Sequence, residues 1–136
     1  MGLMMSEGAH NIRLLQGFAP DALAAFRQPG QTHLSPLRFR DSFIVGISEL
    51  ERVLRAPFWL LRREPGNPLV QARLLAFLRV YAALLDLGTN PTNALFHMRN
   101  TPIRAFRHRT LFEVVQNGHA DDAIAYLRSI SSGFVG

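Results

Sequence analysis

The chain has no cysteine, no lysine and no long run of apolar residues. Without cysteine there are no disulfides, no thiolate metal sites and no cysteine nucleophile, which suits a cytoplasmic protein. Without lysine the basic excess is all arginine, and fifteen arginines against ten acids leave 136 residues with a net charge of +5. Guanidinium stays charged at any working pH and meets phosphate or carboxylate as a planar fork. The missing lysine fits a GC-rich coding sequence as well as a demand for forked contacts. Outside the N-terminus the longest unbroken apolar run is Val80 to Leu85. A membrane span needs about 20 such residues, so neither a span nor a membrane partner is expected. Met1 to Met5 lack the basic stretch and apolar length of a signal peptide. Motifs of catalysis are missing too: there is no glycine-rich phosphate loop, no His-Glu-x-x-His and no Gly-x-Ser-x-Gly. His10, His33, His97, His108 and His119 are not spaced as a metal pair. An enzyme, a bound metal and a cofactor are therefore not expected.

What is present is helix punctuation. Pro20, Pro36, Pro57, Pro68, Pro91 and Pro102 sit where helices can begin, since proline has its φ preset and needs no N–H partner in a first turn. Ser35, Asn67, Asn90 and Thr101 precede four of them as N-caps. Pro29 and Pro65 stand in Pro-Gly pairs and read as turns. Gly46, Gly88, Gly118 and Gly133 follow apolar-periodic stretches, where a left-handed residue closes a helix. Ser48 with Glu51 and Thr110 with Glu113 have the spacing of capping boxes. Helices are predicted near 20–26, 36–45, 48–55, 57–63, 68–87, 91–98, 111–117 and 120–132. A strand competes for 36–45, because Phe43-Ile44-Val45 favours one; the Ser-Pro start favours helix. No hairpin signal joins two strands, so the class is all-α, a small helical bundle. The helix over 68–87 is apolar on nearly every face, which points to the centre of a bundle or to a homodimer interface. Residues 1–34 are weakly patterned and read as a flexible arm.

Three segments could meet partners. Residues 36–63 hold short helices joined by short turns, the pattern of a helix-turn-helix. Its second helix would be Ser48 to Arg55, and its recognition helix Pro57 to Arg63. Eight arginines between 35 and 79 face only Asp41, Glu49, Glu51 and Glu64, an excess that suits phosphate contacts. Ser48, Trp59, Arg62 and Arg63 are the candidate DNA contacts; the competing reading is plain core with a solvated helix end. A second basic cluster is Arg99, Arg104, Arg107 and Arg109, with no acid between His97 and Thr110. It is either an incidental loop charge or an anchor for an acidic or phosphate-bearing surface. The third candidate is the tail of Phe134, Val135 and Gly136, which either inserts into another protein's cleft or folds back on its own helix. His119, Asp121 and Asp122 read as an ordinary helix start, where acids offset the dipole.

Three stretches carry a family resemblance. GISELERVLRAPFWLLRREPGNPLVQARL resembles the helix-turn-helix of Xre-type antitoxins and the run leading out of it. NPTNALFHMRNTPIRAF and RTLFEVVQNGHADDAIAYLRSISSGFVG resemble the toxin-binding domain of the MbcA/ParS/Xre antitoxins. The matching positions are Thr101, Pro102, Ala105, Phe106, Thr110, Leu111, Glu113, Gly118, Tyr126, Leu127 and Gly133, and the likeness runs over 36–136. It implies a type II antitoxin whose partner is a RES-domain toxin that attacks NAD or uses it for ADP-ribosylation. Such an antitoxin covers the toxin's cleft, and it commonly represses its own operon through operator DNA. After the arm over 1–34, the resemblance implies two parts, a helix-turn-helix over 35–66 and a toxin-binding domain over 67–136. Arg99, Arg104, Arg107, Arg109, Tyr126, Ser131, Ser132, Phe134, Val135 and Gly136 become the candidate toxin contacts. A dimeric DNA-binding regulator without a toxin is the alternative. Two features depart from the Xre pattern. Arg55 and Ala56 occupy a turn where glycine is usual, and Trp59 stands where a small or polar residue commonly faces DNA.

Overall fold

The computed structural model describes residues 23–131, and among them it holds seven α-helices and no strand. The class is all-α, as expected. The chain divides into two compact units between Leu75 and Ala76. That division lies eight residues into the long helix α4 (Pro68–Asp86), beyond the 66/67 boundary read from the sequence. α4 is the one helix among the described residues long and apolar enough to cross a membrane, and 56% of its apolar window is buried inside the protein.

The first unit is built on α1 (Pro36–Phe43), α2 (Ile47–Leu54), α3 (Phe58–Arg63) and the start of α4. Ser35 caps α1 by accepting from Arg38 N at 3.1 Å. Asn67 caps α4, accepting from Leu69 N at 2.9 Å and Val70 N at 3.3 Å. Phe39, Phe43, Leu50, Leu54, Leu61 and Leu74 form the core. The supposed arm is packed from Leu23 onward: Leu23, Phe26 and Leu34 are buried with these residues. Pro29-Gly30 makes the expected turn, with Gly30 at φ 72° and Gln31 N donating to Gln28 O at 3.0 Å. The turn brings Arg27 and Leu34 together as an isolated antiparallel bridge. The buried Gln71 then locks the segment in place. Its Oε1 accepts from Leu34 N at 2.9 Å, and its Nε2 donates to Leu34 O at 2.8 Å and Pro65 O at 2.7 Å. A primary amide can satisfy a peptide N–H and C=O at once, and this is why a stretch of weak helical pattern still orders. The remainder of the expected arm, residues 1–22, lies outside the described residues.

The second unit comprises the rest of α4, α5 (Pro91–Asn100), α6 (Leu111–Gln116) and α7 (Ala120–Ser131). Asn90 caps α5 through Asn93 N at 2.8 Å. Thr110 and Glu113 form the expected capping box, with bonds of 3.1 and 2.9 Å. Gly88 and Gly118 adopt the expected left-handed geometry, at φ 95° and 88°. The Phe77 and Phe112 rings meet with centroids 4.7 Å apart and planes tilted by 40°, and Leu111, Val115, Ile124 and Leu127 are buried in the same unit.

Several local expectations give way to other solutions. α1 stops at Phe43, because Ile44 rather than Gly46 takes the left-handed position, at φ 55°. Gly46 is extended and caps α2 instead. Ser48 therefore lies inside the first turn of α2 and does not cap it. Thr101 and Pro102 end α5, and only a 3₁₀ turn, Arg104–Phe106, follows them. α4 is also the feature that points to a second copy. The chain itself buries Val70, Leu74, Phe77, Leu78 and Val80 through Leu84, so that helix no longer argues for a dimer.

Candidate functional site

Two groups of arginines stand out, one in each unit. In the first, α2 and α3 are joined by Arg55, Ala56 and Pro57. Arg55 holds the left-handed conformation at φ 55°, ψ 44°, the geometry that glycine supplies freely. The turn thus takes a left-handed geometry without a glycine. Ala56 is buried beneath it, and Glu51 Oε2 accepts from Phe58 N at 2.7 Å. The carboxylate that the sequence assigns to a box on α2 instead caps the next helix. It fixes α3 against α2 with a charge-assisted bond at a positive helix end.

α3 buries Leu61 and turns Trp59, Arg62 and Arg63 outward. Residues three and four apart on a helix are neighbours, and these three line one recess. Trp59 is 60% exposed, so it is not a packing residue. Arg62 and Arg63 make no ion pair among the described residues. Ser48 is exposed on α2 but does not line this recess.

The second group rides on the segment between α5 and α6. Ile103 is buried and pairs with Arg109 as an isolated bridge, Ile103 N donating to Arg109 O at 2.9 Å. His108 N and Phe106 N both donate to Ile103 O, each at 2.9 Å. Closing the loop this tightly sets Arg107 and His108 consecutively in the left-handed region, at φ 58° and 65°. Each such residue costs roughly 1–2 kcal/mol, and two in succession hold Arg104, Arg107 and Arg109 out in solvent. Arg99 behaves differently. Its guanidinium lies 4.6 Å over the Phe112 ring, so it serves packing and is withdrawn from the exposed set. Tyr126 is half-buried, edge-on to Phe106 at 5.5 Å. Ser131 ends α7 exposed, its hydroxyl donating to Arg128 O at 3.0 Å. Ser132, Phe134, Val135 and Gly136 lie outside the described residues.

An open recess of about 450 Å³ connects this loop to the turn between α6 and α7. Arg107 and Arg109 line it together with Phe106, Val114, His119 and Asp122. His119 Nδ1 and Asp122 Oδ2 are 3.5 Å apart, so the recess carries both signs of charge. Asp121 is drawn off separately by Arg79, at 3.2 Å. The sequence marked His119 and Asp122 only as a helix start. Their place opposite the arginine loop depends on the left-handed Gly118 turn, and no spacing rule reports it. Comparison with known proteins finds no matching family model, no matching curated protein and no matching solved structure.

Proposed function

We propose that this protein is the antitoxin of a type II toxin–antitoxin pair. In this reading it neutralises a RES-domain toxin that consumes NAD or uses it for ADP-ribosylation, by covering the toxin's active-site cleft, and it acts in the cytoplasm. The observation that carries the reading is the order of the two units. A helix-turn-helix segment with a left-handed turn at Arg55 precedes a unit whose Thr110 capping box, Gly118 turn and last helix stand at the family-like positions. The recess beside Arg107 and Arg109 supports it too. A lining of both signs with an apolar floor suits a protein surface better than a bare phosphate. Co-expression with the neighbouring open reading frame tests the reading: the neighbour alone arrests growth, and this chain restores it. A neighbour that is harmless alone, or that stays toxic beside this chain, overturns the reading. Alanine at Arg104, Arg107 and Arg109 together weakens rescue without changing the circular dichroism. Removal of Phe134 to Gly136 does the same.

A second reading is a dimeric DNA-binding regulator, either alone or as the operon-repressing side of the antitoxin. The outward face of α3, with Arg62 and Arg63 unpaired among the described residues, favours it. Binding to the chain's own promoter then falls steeply with salt, because phosphate contacts release counterions; flat salt dependence counts against it.

A further inference from the structure

We propose that the outward face of α3 binds a nucleic-acid strand whose bases are unpaired. One base stacks on the Trp59 indole, and the flanking phosphates are held by Arg62 and Arg63. The inference rests on the nucleic-acid reading of this face and names its ligand; it is independent of toxin neutralisation.

Four observations carry it. Trp59 is the single tryptophan of the chain and is 60% exposed, and no other ring packs on it among the described residues. A large apolar ring left in water is costly, and a nucleobase face covers it whatever the base. Arg62 and Arg63 share the recess with the indole, and no carboxylate lines it. A single strand offers that combination of π-face and phosphate. α3 is also poorly made for reading a duplex. Its six residues, FWLLRR, offer base edges only the two arginines, which suit guanine, and no amide or hydroxyl side chain for the other bases. A helix of that length reaches only about 9 Å. In a duplex the base faces are already stacked, so the indole face would find only edges and sugars. Finally, α3 is held rigidly for the task by the Glu51 carboxylate on Phe58 N and by buried Leu61, so little order is lost on binding. An apolar protein partner would have to desolvate both guanidiniums with no acid in the recess to meet them.

The test uses the full chain and a short fluorescein-labelled oligothymidylate, with a mixed-sequence duplex of the same length beside it. Trp59 emission is quenched as oligothymidylate is added, because the indole is the only one present. Binding weakens with salt, and each of R62A and R63A lowers the slope by about 0.7. Fluorescence anisotropy of the labelled strand reads the tryptophan variants. W59L binds about 5- to 150-fold more weakly, while W59F retains most of the affinity. Trp59 is solvent-facing, so both variants keep the wild-type circular dichroism and melting temperature. Unquenched emission, wild-type binding by W59L, or a duplex that binds as tightly as the single strand each overturns the proposal. Duplex binding alone overturns the strand proposal and leaves the operator reading standing; binding of neither also overturns the strand proposal, and the operator reading is then decided by the promoter experiment. A W59L chain that still rescues growth beside the toxin leaves the antitoxin reading untouched.

Discussion

Trp59, Arg62 and Arg63 share one face of a regular helix, whereas Arg104, Arg107 and Arg109 ride on a loop closed by the Ile103–Arg109 bridge. The helix presents its charges by periodicity, with unstrained backbone beneath them. The loop presents its charges by strain, with Arg107 and His108 both left-handed. What stands opposite differs as well. The α3 recess is lined by an indole and no acid, while the loop recess is lined by Asp122 with its His119 neighbour. The sign of the charge is the same in both regions; the lining is what tells them apart, and it is the ground for proposing a nucleic-acid ligand for one and a protein partner for the other. Arg99 sharpens the point, since it belongs to the second cluster in sequence yet spends its charge on the Phe112 ring.

The largest expected effect breaks the second unit. Phe112 is buried against Phe77 and beneath Arg99. Phe112→Ala removes that ring and leaves a cavity, costing about 3–5 kcal/mol, read as a lower urea midpoint. Amide exchange should quicken first in α6 and α7 if the units open separately. Uniform acceleration across residues 23–131 would show that they unfold as one.

The matching cut in the first unit is polar. Gln71→Ala strips Leu34 N and Leu34 O of their buried partner and costs about 3 kcal/mol. Exchange at the Leu34 amide should rise more than at any amide of α6. A Gln71→Ala protein with wild-type stability would mean that residues 23–34 add nothing to the core. This clamp also shows what the sequence concealed. The caps at Ser35, Asn67, Asn90 and Thr110 were legible because each is settled within four residues of chain. The packing of 23–34 was not, because it depends on an amide 37 residues away. The site divides in the same way. The i, i+3, i+4 spacing of Trp59, Arg62 and Arg63 was readable as one helix face. The withdrawal of Arg99 and the approach of His119 and Asp122 to the arginine loop arise from tertiary contacts. Glu51 carries the same lesson at short range: its spacing from Ser48 fits a capping box, but the nearby start of α3 offers its carboxylate a better donor.

A smaller effect appears in alkali. Tyr81 is buried in α4, and burial raises its hydroxyl above the ordinary value of 10.0. Below that value folded and unfolded chains both hold the proton, and stability is independent of this group. Above it the unfolded chain releases the proton first, so stability falls as pH rises, by at most about 1.4 kcal/mol per pH unit. Urea midpoints between neutral and strongly alkaline pH should show the decline, and Tyr81→Phe should flatten it. An equal decline in Tyr81→Phe would assign the alkaline effect to another group.

The smallest effect returns to backbone strain, and it asks whether the two units carry strain for the same reason. Ile44 is left-handed at φ 55° and 84% exposed. A β-branched residue is poorly suited to that region, and its side chain gains almost nothing from burial. Asparagine tolerates the conformation without glycine's entropic loss, so Ile44→Asn should stabilise the protein by up to about 1 kcal/mol. His108→Asn relieves the equivalent strain in the arginine loop and should stabilise by a similar amount. The two substitutions then part. Nothing beyond the end of α1 rests on Ile44, so neutralisation and strand binding stay unchanged. Arg107 and Arg109 flank His108, so relief of strain there acts on the loop that carries the proposed toxin contacts. Weaker rescue by His108→Asn, despite higher stability, would mark the strain as part of the binding surface. Unchanged rescue would make it a by-product of loop closure, as it is at Ile44.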